Sequence, residues 1–235
     1  MGQGLPRGWV GDTVALYARV FKRGTLLALR NWPVGLVVIL YGVLLSAATL
    51  VAAPFGIIGG LILYLVTVAC FSSWLSLVEQ VIRVGRVHLS DVPAGFGAYF
   101  GDLLTVGFLF WGLQVIAQLV LTPFPLLQIV FLLAVFVFLN AVPELVYLGR
   151  HTAAEVLIES YRFIGENWIE WFPANLALAA FVILVLLLPG GPLGIIVEAA
   201  LGIVLYFGMI VRGLLFLELA SSSRRAREFR RRAAG

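Results

Sequence analysis

Glu198 and Arg212 are the only charges in a 47-residue apolar stretch, 171–217. A charge at such depth is expensive to bury, so each requires a partner, a water-filled path or a route to a polar surface. Fourteen positions apart, they would be about 21 Å from each other along one straight helix and cannot pair there. Gln114 and Gln118, one helical turn apart in a second apolar stretch, either bond between helices or join Glu198 and Arg212 in lining a path for a small solute or ion. Glu79, Glu144 and Glu218 follow Pro54, Pro123 and Pro192 by 25, 21 and 26 residues. Three carboxylates so placed would form a cation-attracting cytoplasmic mouth, or else each would pair with a nearby arginine, as Glu79 can with Arg83 at i+4.

Enzyme chemistry has little to stand on. The two histidines, His88 and His151, lack metal-ligand spacing, and Cys70 is alone. There is no phosphate-binding glycine loop or nucleophile elbow, and Ser72, Ser73 and Ser76 have no base nearby in sequence. The expectation is a non-enzymatic protein without metal or cofactor.

The elements that must position these groups follow from composition. Of 235 residues, 62% are hydrophobic and 12% charged, and the mean hydropathy is +1.05. A soluble domain carries about 25% charged residues, and a disordered chain needs far more charge than this, so the chain belongs in a membrane. Residues 31–78 and 103–143 carry no charge at all. These two stretches and 171–217 are each too long for one span of about 20 residues and long enough for two. Pro54-Phe55-Gly56, Pro123-Phe124-Pro125 and Pro189-Gly190-Gly191-Pro192 fall where the reversals belong.

An all-α polytopic bundle follows, with six transmembrane helices in three hairpins. The spans are expected at 33–53, 57–78, 103–122, 126–147, 172–188 and 194–217. Pro54, Pro123 and Pro192 recur every 69 residues, as do Gly56, Pro125 and Gly194, which suggests repeats at about 11–80, 81–148 and 149–220. The hairpins form one domain, 1–220, followed by a basic tail, 221–235.

Fifteen of the 16 Lys and Arg residues precede the first span, lie between hairpins or occupy the tail, and Arg212 is the exception. The positive-inside rule then puts both termini on the cytoplasmic side of the membrane. The first span begins too late, and is followed too closely by the second, to be a cleaved signal peptide.

Three cytoplasmic segments remain. Residues 11–31 mix Leu16, Tyr17, Val20 and Phe21 with Arg19, Lys22, Arg23 and Arg30, as an interfacial helix facing anionic lipid would. Residues 86–102 offer Asp91 as a helix cap before Val92-Pro93, then weaken that helix with Gly95, Gly97 and Gly101. In 149–170, Thr152 and Glu155 form a capping box, and Glu155/Glu159 and Glu166/Glu170 each share a face. The six-arginine tail suits anionic lipid, and nothing beyond its charge suggests nucleic acid.

The stretch from Gly149 to Arg162, with Asn167-Trp168 after it, resembles an element of a loose group of bacterial polytopic proteins. That group includes the membrane domain fused to some glycerophosphodiester phosphodiesterases and stand-alone relatives of unknown role. Glu155, Ser160, Tyr161, Arg162, Asn167 and Trp168 occupy the matching positions over about 30 residues. The resemblance implies a membrane module without catalysis of its own, since the soluble phosphodiesterase domain is missing. Two functions stay open: permeation of a small solute or ion, and a scaffold or accessory subunit that docks a protein partner, a second copy or anionic lipid.

Overall fold

The structure, a computed structural model, describes residues 9–149, 151, 154–187 and 194–221. Arg7, Thr152 of the expected capping box, the third turn at 189–192 and the tail beyond Ser221 lie outside the described residues, as does the side chain of Glu198.

Among the described residues every regular element is helical. In chain order they are α1 (Trp9–Arg30), α2 (Pro33–Ala52), α3 (Gly56–Arg83), α4 (Val92–Gly95), α5 (Phe100–Leu121), α6 (Pro125–Phe138), α7 (Val142–Glu144), α8 (Glu155–Leu186) and α9 (Gly194–Ala220). Five helical runs are long and apolar enough to cross a membrane: Pro33–Arg83, Phe100–Leu121, Pro125–Gly149, Glu155–Val185 and Ala199–Ala220. Their outer surfaces are apolar, with Ile57 94%, Leu50 79% and Leu126 79% exposed. Such a surface would aggregate in water and is covered by lipid in a polytopic membrane protein.

The first run, at 51 residues, would be about 76 Å long if straight. It is instead folded back on itself at the expected Pro54-Phe55-Gly56 turn, where Gly56 takes a φ of +54°, a value open to glycine. The close approach of α2 and α3 depends on Gly59. A Cβ at Gly59 would overlap the Ala52 carbonyl, whereas Gly60 has open space around it.

The core gathers around α3 and α9. Leu75, Leu77, Val78 and Val81 of α3 and Ile210 and Leu215 of α9 are wholly buried. Helix α9 packs against α1, α2, α3 and α8, and α5 packs against α3 and α6. A Cβ at Gly202 would meet the Gly35 carbonyl and one at Gly208 would meet Leu178, so these two glycines of α9 allow close packing against α2 and α8.

Three expectations are corrected. The span expected at 126–147 is not one helix: α6 stops at Phe138, a turn at 139–141 follows, and α7 leads into a π-helical turn, Leu145–Gly149. Pro143 has no N–H to give the Leu139 carbonyl and therefore breaks the ladder there. Conversely, the cytoplasmic segment and the span expected at 172–188 are one continuous helix, α8, which runs through Pro173. The break that Pro173 imposes is bridged by Tyr17 of α1. Its hydroxyl donates to the Glu170 carbonyl at 2.6 Å and accepts from the Ala174 amide at 3.3 Å, the two groups an unbroken helix would join directly. Burial raises the Tyr17 pKa, which keeps the hydroxyl protonated and able to donate.

The third correction concerns the segment after α3. Asp91 precedes α4 without a side-chain capping bond. The segment is held by α3 instead: Ser72 donates to the Gly95 carbonyl and accepts from the Tyr99 amide, while Ser73 donates to the Val92 carbonyl and accepts from Tyr41.

A paired substitution tests the α2–α3 contact. Gly59→Ala should destabilise the protein by about 1–3 kcal/mol through overpacking, whereas Gly60→Ala should be neutral or stabilising. Thermal unfolding in detergent, followed by circular dichroism, separates the two.

Candidate functional site

The break in the third apolar run, Pro125–Gly149, exposes backbone carbonyls inside the protein, and side chains from α8 and α9 satisfy them. Ser160 of α8 donates to the Phe138 carbonyl at 2.8 Å. Arg212 of α9 donates through Nη2 to the Asn140 carbonyl at 2.7 Å. The Asn140 side chain accepts from the Trp171 indole at 2.9 Å. Arg212 also holds Glu144 with two parallel bonds, Nε to Oε1 at 2.8 Å and Nη2 to Oε2 at 2.9 Å. Its guanidinium carbon lies 5.3 Å from the centre of the Trp171 ring.

Glu144 is completely buried and the Arg212 side chain is 13% exposed. A planar fork matches a carboxylate in both bonds at once, which a lysine could not do. Removing one partner would leave the other charge buried and uncompensated.

A second cluster closes the far end of the same broken helix. Arg83 pairs with Glu79 at 2.8 Å and donates to the Leu148 carbonyl at 2.9 Å. The Tyr99 hydroxyl bonds to Glu79 and also reaches the Tyr147 carbonyl at 3.5 Å. The second half of this run is thus gripped by an arginine at each end, Arg212 at Asn140 and Arg83 at Leu148. Between them Tyr147 is wholly buried, packed on Gly213.

Asn31, at the corner between α1 and α2, joins four segments. Its side chain donates to the Leu27 and Gly85 carbonyls and accepts from the Val87 amide, and its carbonyl accepts from Tyr206 of α9. Nothing in the sequence single-handedly marks Asn31, Ser72 or Ser73 for these roles. The available signal was that each is a small polar residue inside a charge-free stretch, where it must find a partner.

The residues singled out from the sequence do not converge on one site. Gln114 and Gln118 are both exposed on α5 and do not reach Arg212. Glu198 falls within α9, with its side chain outside the described residues. The ring of Glu79, Glu144 and Glu218 does not form: Glu79 pairs with Arg83, Glu144 is buried against Arg212, and Glu218 is exposed on α9. Among the described residues no group of His, Cys, Asp and Glu could hold a metal ion.

The motif on α8 divides by helix face. Ser160 and Asn167 point inward, Asn167 donating to the Phe163 carbonyl at 3.0 Å. Glu155, Tyr161, Arg162 and Trp168 are exposed, with Arg162 paired to Glu159 at 2.6 Å and Tyr161 against the Phe138 ring. Glu166 and Glu170 do not form a shared acidic surface, because Glu166 is exposed and Glu170 is buried.

A cavity of about 530 Å³ opens between α1 and the end of α9. Arg19, Lys22, Arg23 and Glu218 line it together with Val20, Leu26, Leu214, Leu217 and Ser221. Close approach of the two helices at its floor is allowed by Gly24, where a Cβ would meet Val211 at 3.1 Å.

Comparison of the chain with family models, with curated proteins and with solved structures finds no match in any of the three.

The buried pair yields a measurable asymmetry. Arg212→Met and Glu144→Gln should each destabilise by about 3–5 kcal/mol, and the double variant that combines them should recover much of that loss. Unfolding of the four proteins in one detergent, treated as a double-mutant cycle, measures the coupling.

Proposed function

We propose that this is a non-enzymatic, six-span protein of a bacterial inner membrane. It acts as a scaffold or accessory module, with a basic cytoplasmic face that docks anionic lipid. The observation that carries this is where the charges go. The buried arginine is spent on Glu144 and on backbone, while Arg19, Lys22 and Arg23 are exposed along the middle of α1. Six crossings follow from counting the folded 51-residue run as two and adding the other four. Both termini are then on the same side, in agreement with the distribution of Lys and Arg. The resemblance of the α8 element to a membrane domain that carries no catalytic residues points the same way.

Permeation would need polar groups lining a continuous path. Arg212 is occupied by Glu144 and Asn140, and Gln114 and Gln118 are on an exposed face of α5, so these residues supply no such lining together. The exposed residues of α8, Glu155, Tyr161, Arg162 and Trp168, remain available to a protein partner.

Proteoliposomes containing the full chain should give no flux across a broad panel of ions and small solutes. Saturable flux by the wild type, lost in Glu198→Gln, would overturn the scaffold reading in favour of transport. Topology has its own test. In a Cys70→Ala background, single cysteines at positions 55 and 124 should react with an impermeant thiol reagent from outside, and those at positions 25 and 88 only after the membrane is opened.

A further inference from the structure

The groove between α1 and α9 combines features that neither helix has alone. Arg19, Lys22 and Arg23 are spaced i, i+3 and i+4, so all three project from one face of α1. None of the three ion pairs among the described residues uses them. Below this rim, Val20, Leu26, Leu214 and Leu217 make an apolar wall, and the groove volume of about 530 Å³ is in the range of small-molecule sites. Three cations against one carboxylate, Glu218, leave the rim positive. Arginine forks and a lysine ammonium are the donors that suit phosphate oxygens.

We propose that this groove binds one anionic phospholipid, its phosphate held by Arg19, Lys22 and Arg23 and its acyl chain running along Leu26, Leu214 and Leu217. The inference rests on the anionic-lipid reading of the cytoplasmic face and narrows it to one lipid at one site. Free phosphate would leave the apolar wall unused. A zwitterionic lipid would bring an ammonium or choline cation up to three like charges. A lipid whose headgroup has no cation fits both halves of the groove, and the cytoplasmic leaflet, which that reading puts beside the end of α9, carries such lipids.

The test is native mass spectrometry of the full chain released from detergent, titrated with phosphatidylglycerol, phosphatidylcholine or inorganic phosphate. One phosphatidylglycerol should bind at least about tenfold more tightly than phosphatidylcholine, and inorganic phosphate should not compete at matched concentration. The triple variant Arg19→Gln/Lys22→Gln/Arg23→Gln should lose up to about 100-fold in that affinity while keeping the wild-type unfolding temperature. Arg30→Gln/Arg86→Gln, which removes exposed cations outside the groove, should bind as the wild type does. Equal loss in both variants would overturn the groove assignment but leave the anionic-lipid reading standing, because lipid would then answer to general charge. Equal binding of the two lipids would overturn that reading and the site together. Displacement by inorganic phosphate would overturn the choice of a lipid as occupant.

Discussion

A guanidinium removed from water must find acceptors, and Arg212 finds a carboxylate and a backbone carbonyl for Nε and Nη2 and an aromatic face beside them, supplied by two other elements. The rest of the interior is arranged around that demand. Glu144 can be fully buried only because the fork is there, and the chain can break at 139–141 only because Arg212 and Ser160 take up freed carbonyls. Trp171 completes the arrangement by bonding to Asn140 on one edge and facing the guanidinium with its ring. The pair is not a large net source of stability, since desolvating two charges offsets most of their attraction. What it contributes is a link between three elements: Arg212 of α9 meets Glu144 and Asn140 of the broken run and Trp171 of α8.

The same rule governs each irregularity elsewhere. In a lipid environment a carbonyl or amide without a partner costs several kcal/mol, so non-helical backbone survives only where protein satisfies it. The Pro173 interruption in α8 receives the Tyr17 hydroxyl. The short α4 segment is bound by Ser72 and Ser73, the α1–α2 corner by Asn31, and the π-helical turn by Arg83. All of these partners come from distant parts of the chain. Helix α1 is thereby fastened to the bundle near its middle by Tyr17 and at its C-terminal end through Asn31, and the basic groove it forms with α9 lies between these two ties.

How much of this was legible in the sequence depended on whether the cause was local. Pro54-Phe55-Gly56 and Pro123-Phe124-Pro125 mark turns because proline and glycine act on their own backbone, and both turns occur where their residues predict. Glu79 with Arg83 was equally legible, being one helical turn apart. Pro143 and Pro173 were harder because proline alone does not decide the outcome. At Pro143, Arg212 and Ser160 accommodate a break, while at Pro173 Tyr17 carries the helix through. Glu144 and Arg212 are 68 residues apart, and no local pattern links them. Each was identified as an unusual charge, but the ring and the lined path to which spacing assigned them require a geometry that only the packed helices determine. Gly59, not Gly60, makes the helix contact for a similar reason, since the turn at Gly56 sets which face of α3 meets α2.

The account therefore turns on whether the two buried charges are in contact within a bilayer. Solid-state nuclear magnetic resonance on the full chain in lipid, with ¹⁵N-labelled arginine and ¹³C-labelled glutamate and site-specific assignment of Arg212 and Glu144, measures this directly. A guanidinium nitrogen 2.8 Å from a carboxylate oxygen predicts strong ¹⁵N–¹³C dipolar dephasing between the two side chains and little water contact for Glu144. Absence of dephasing at that pair, with a water-exposed carboxylate at Glu144, would contradict the account and return both residues to the description of an open, hydrated path.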